Sequence, residues 1–180
     1  MNKSYLGMAL CLLTLPAYSM TRPCEGAPGA QHTNPDTSIG GFVASSASVS
    51  ALATLSVDAQ VCDFALLKGA VKVMDQAIVS GRANLSGNIA VSGDARVYGD
   101  ANLINSDVGA DMQIMDDALI YGNAYLNGSI TVTGTSAIFG NARLHDFVQV
   151  HGSSRVCGSA SLFDDVVLTD DTTNCSAKKL

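Results

Sequence analysis

The sequence predicts an all-β, single-stranded parallel β-solenoid with a triangular cross-section. Two observations carry this. From Val43 to Thr173 the chain repeats every 18 residues, with one repeat of 23, and every hexad within the repeats opens with Val, Leu or Ile. The recurrence is plain where VYGDANL at Val97 returns as IYGNAYL at Ile120, IFGNARL at Ile138 and VCGSASL at Val156, with VSGRANL at Val79 upstream. A six-residue period excludes an amphipathic helix, whose apolar face returns at spacings of three and four and whose interior does not tolerate Gly in most turns.

Each repeat divides into three hexads of the form aliphatic, any, Gly/Asp/Asn, any, small, any, as in Val79-Ser-Gly-Arg-Ala-Asn. In an extended segment the small residue and the next aliphatic lie two apart and share a face, so Ala95 and Val97 point inward while the residues between them point out. Three short strands make a coil with three flat sides, and about seven coils stacked at strand spacing make a rod roughly 30 to 35 Å long. Gly81, Gly99, Gly122, Gly140 and Gly158 fall at corners, where a positive φ is needed.

The organisation around the rod follows from composition. Residues 1–19 have the form of a secretory signal: Lys3, an apolar run from Leu6 to Leu15, Pro16, and Ala17-Tyr18-Ser19 as a small-x-small cleavage site. Residues 20–42 carry Pro23, Pro28 and Pro35 and are expected to be an irregular lead-in or partial cap. Residues 43–173 form the solenoid, and 174–180 a tail. No later apolar segment is long enough to span a bilayer as a helix, so no membrane anchor is expected after signal removal.

Without the signal the chain has nine basic residues against sixteen acidic ones, a charge of −7. No basic stripe exists, which argues against a nucleic-acid partner. Cleavage also removes Cys11 and leaves Cys24, Cys62, Cys157 and Cys175, an even set suited to a secreted or periplasmic protein. Cys157 and Cys175 hold the same repeat position one coil apart, about 4.8 Å at strand spacing and within disulfide reach. Cys62 shares that column but lies five coils from Cys157, so the second expected bridge is Cys24–Cys62, tying the lead-in to the first coils.

The hexads resemble those of the hexapeptide-repeat left-handed parallel β-helix superfamily, which includes acyltransferases and γ-class carbonic anhydrases. The resemblance covers about 130 residues of this chain. It implies a left-handed coil and side-by-side association, commonly as trimers. This chain departs from the family's usual form: the position after the aliphatic is often Ser, Tyr, Phe or His, and Gly follows it, which separates it from the enzymatic members.

Candidate sites then follow from columns of the repeat. The 23-residue repeat is expected to expel five residues between Leu103 and Met112, because Val71, Ile89, Met112, Ile130, Val148 and Val166 align only on that reading. The loop at 104–111 leaves beside the column Ile104, Asn127, His145. His145 with Asp107, Asp111 and Asp146 nearby is the site an acyltransferase-like enzyme would use, His145 acting as general base. Coenzyme A is normally absent where a signal peptide delivers its protein, so a non-enzymatic role is preferred.

A γ-class zinc site needs three converging histidines. The chain has only His32, His145 and His151, on different parts of the repeat. No metal or other cofactor is expected. The Asp pairs Asp116-Asp117, Asp164-Asp165 and Asp170-Asp171 are read as corner residues rather than calcium ligands, and Thr131-x-Thr133 is too isolated to be an ice-binding array. The most informative surface is the side on which Tyr98, Tyr121 and Phe139 form an outward ladder, with Leu119 and Ala137 beside them. It is expected to mediate self-association, with carbohydrate or an envelope component as a further partner.

Overall fold

The computed structural model describes residues 24–105 and 111–176. Among them every regular element is a strand, and the strands wind through about seven turns of a parallel solenoid. The inward pattern is the cause: Ala95 and Val97 are fully buried while Arg96 between them is exposed.

Side one stacks Ile39–Ala44, Gln60–Val61, Ile78–Val79, Arg96–Val97, Leu119–Ile120, Ala137–Ile138, Arg155–Val156 and Thr173–Asn174 in parallel. The register steps by 18 residues, as in Ile120↔Ile138↔Val156↔Asn174, except at Val97↔Ile120. Side two runs from Ser48–Val49 to Ser161–Leu162, and side three from Thr54–Leu55 to Val166–Leu168. These two sides belong to one sheet, because Tyr125–Val132 and Arg143–Val150 continue across the edge between them.

The ladder continues on both flanks of the five extra residues of the 23-residue repeat. Asn105 pairs with Gly87 and Met112 with Ile89, so the register is restored on both flanks of the insertion. Met112 is fully buried in the same column as Val71, Ile89, Ile130 and Val148, and Val166 at the end of that column is half-buried. Residues 106–110, Asp107 included, lie outside the described residues.

Corners use Gly or Asp for one reason and Asp for a second. Asp63, Asp75 and Asp116 adopt positive φ of 56°, 57° and 61°, a conformation that short polar side chains tolerate best after glycine. Each carboxylate also accepts the amide of the glycine one coil on: Asp63 from Gly81 at 2.9 Å, Asp75 from Gly93 at 3.0 Å and Asp116 from Gly134 at 2.9 Å. The corner reading of Asp116, Asp164 and Asp170 agrees with their positive φ.

The lead-in is more ordered than its composition suggests. Gly29–Thr33 pairs antiparallel with Ile39–Ala44 and adds a strand to the edge of side one. The turn between them is made by Asn34-Pro35-Asp36-Thr37-Ser38, in which Asp36 Oδ1 accepts the Ser38 hydroxyl at 2.6 Å and its amide at 3.0 Å. The Ser38 hydroxyl first, then its amide, hold the Asp36 carboxyl below the usual carboxylate range. Asn34 accepts the Leu55 amide at 2.8 Å and donates to the Leu55 carbonyl at 3.0 Å, while His32 Nε2 lies 3.1 Å from the Ala53 carbonyl. The segment therefore occupies backbone groups of the first coil that would otherwise be unpaired, which is why a stretch rich in Pro and polar residues is structured.

Both expected bridges are present. Cys24–Cys62 has a Cα separation of 5.2 Å and Cys157–Cys175 one of 4.3 Å.

Candidate functional site

Side one presents two outward columns. The first is Gln60, Ile78, Arg96, Leu119, Ala137, Arg155, Thr173, given directly by the strand register. The second lies two residues further on and reads Cys62, Ser80, Tyr98, Tyr121, Phe139, Cys157, Cys175. Its three aromatic rungs are thus bracketed by residues of the two disulfides.

The rings stack face to face. Tyr98 and Tyr121 have centroids 5.0 Å apart with 3° between planes, and Tyr121 and Phe139 are 4.9 Å apart with 1° between planes. Strand spacing sets this distance, and parallel register aligns identical rotamers. The middle ring therefore spends both faces on its neighbours and offers only its edge to solvent. Partial burial pushes the Tyr98 phenol above the ordinary tyrosine range, Tyr121 adds to this, and Arg96 opposes it.

The strip is less open than expected. Tyr98, Leu119, Tyr121 and Phe139 are half-buried, and Ala137 is buried at 8% exposure. Ala137 carries one methyl between the larger Leu119 and Arg155 in its column, so little of it reaches the surface. Leu119 does not stand free in water.

The loop-side candidate is also different from its expectation. His145 is only half-exposed, and its ring stacks on Phe163 at 5.0 Å and 8°, with Tyr125 tilted against it at 5.3 Å. Asp146, its neighbour, is a positive-φ corner, and Asp111 accepts a hydrogen bond from Asn88. His145, Asp111 and Asp146 thus have local structural partners or roles. Phe163 follows His145 by one repeat, so subtracting 18 would have revealed this second stack from sequence.

His151 sits on the next side, with Nδ1 2.8 Å from Thr133 Oγ1 and Nε2 3.1 Å from Gln149 Oε1. Among the described residues no group of three or more His, Cys, Asp or Glu could hold a metal ion.

Together the fold and its bridges define a disulfide-clamped parallel β-solenoid with an aromatic ladder on one side. Compared with protein-family models, with curated proteins and with solved structures, the chain matches none.

Proposed function

We propose that this is an exported, secreted or periplasmic, solenoid of hexapeptide-repeat type whose work is self-assembly and scaffolding through side one. The observation that supports it most is the parallel-stacked Tyr98–Tyr121–Phe139 ladder with half-buried Leu119 beside it, a contiguous apolar strip along side one. The two disulfides fit an oxidising compartment.

Area favours the side over the ends as the contact. A side about 34 Å long and about 20 Å wide offers roughly 700 Å² per partner, near the value of about 800 Å² typical of stable complexes, whereas a triangular end offers only about 200 Å². An acyltransferase-like role at loop 104–111 finds less support, because the His145 ring is already committed to an aromatic stack.

The test is the solution mass by light scattering. Wild type is expected to be a multimer, and Tyr121→Ser with Phe139→Ser to shift it to one chain while leaving the far-ultraviolet circular dichroism unchanged. A double variant that keeps the wild-type mass removes this face from consideration.

A further inference from the structure

The ladder ends abruptly at its N-terminal side. The rung before Tyr98 is Ser80, which carries no ring, and the rung before that is Cys62, bonded to Cys24. One face of Tyr98 is taken by Tyr121, so the other looks over Ser80. A cavity of about 270 Å³ lies here, lined by Ile78, Ser80, Arg96, Tyr98 and Leu119.

We propose that this missing rung is a binding slot for an acidic sugar ring. Cys62 and Tyr98 are two coil spacings apart, about 10 Å, and their own van der Waals thickness takes about 4 Å, leaving about 6 Å. A flat arene would fill only about 3.5 Å of that gap. A pyranose chair fills it better, setting its C–H face on Tyr98 and its hydroxyls toward Ser80 Oγ. Arg96 supplies the charge: it is exposed, it makes no ion pair among the described residues, and the neighbouring cation Arg82 already faces Asp100 at 3.7 Å. Guanidinium and carboxylate form the stronger, charge-assisted class of hydrogen bond, so a uronate is preferred over a neutral sugar. Ile78 and Leu119 form the apolar sides. Tyr98 and Leu119 line the slot and also belong to the strip proposed for self-association, so ligand and partner compete for this part of side one.

The test is isothermal titration of the full mature chain with trigalacturonate, a neutral galactose trimer and benzoate. Wild type should bind trigalacturonate saturably and about ten-fold more tightly than the neutral trimer, a preference that Arg96→Gln removes. Ser80→Phe adds the absent ring, so it should abolish binding while keeping or raising the melting temperature. Tyr121→Ser with Phe139→Ser, which frees side one of any partner copy, should bind trigalacturonate at least as tightly as wild type, and loss of binding in this single-chain form would also overturn the proposal. No saturable binding by wild type, equal affinity for benzoate, or undiminished binding by a folded Ser80→Phe would each overturn the proposal.

Discussion

One serine shows how the interior is chosen. Ala59, Ala77, Ala95 and Ala118 occupy one buried column that continues as Ser136 and Ser154, all fully buried. Ser136 Oγ donates to the Thr133 carbonyl at 2.7 Å, whereas Ser154 Oγ has no hydrogen-bond partner. A buried hydroxyl without a partner costs about 1 to 3 kcal/mol, so Ser154→Ala should stabilise the fold by about 1 kcal/mol and Ser136→Ala should destabilise it by about as much. Urea melts of the two variants measure both signs. Tyr98 makes a pH prediction. Its folded-state pKa is raised above 10.0, so the fold favours the protonated phenol. That contribution is intact below pH 10 and is lost as pH rises through the folded-state value. Melting temperatures from about pH 9 to about pH 11 should fall more steeply for wild type than for Tyr98→Phe.

At the scale of the element, corners and end coils are the vulnerable parts. Gly87 has φ 104°, and an added Cβ would land on the Asn105 carbonyl oxygen. Gly87→Ala should therefore cost more than about 3 kcal/mol, read as a fall in urea midpoint. Cys157–Cys175 spans 18 residues and Cys24–Cys62 spans 38. Loop entropy makes the loss about 3 kcal/mol for a double Ser variant of the first pair and about 0.7 kcal/mol greater for the second. Hydrogen exchange should show Thr173–Asn174 losing protection first when the C-terminal bridge is absent, since that strand has a single neighbour. Both bridges and the coil register were legible because repetition converts sequence distance into rung number. The Gly29–Thr33 strand was not, because it makes one antiparallel, non-repeating contact whose determinants are the individual groups of Asn34, Asp36 and Ser38. Likewise the period aligned Tyr98, Tyr121 and Phe139, yet the burial of Ala137 depends on how much its larger neighbours cover. The His145–Phe163 stack was recoverable from the period but concealed by attention to the histidine's chemistry.

For the whole molecule, the regular middle and the differing sides matter together. All three sides share one core, and among the described residues only side one combines a three-ring ladder with a disulfide residue at each end of its column. Exposed apolar side chains elsewhere, including Leu52, Val57 and Phe64 in the first two coils and Phe147 and Val167 in the last two, stand singly rather than in a stacked column. The small cross-section of an end gives less contact area than a side. Side-by-side and end-to-end assembly differ in shape as well as in strength. Small-angle X-ray scattering of the mature protein separates them in one measurement: the account predicts a mass that is a multiple of one chain, an enlarged cross-section and a longest dimension close to that of a single rod. A single-chain mass, or a multimer whose length is doubled at constant cross-section, would contradict it.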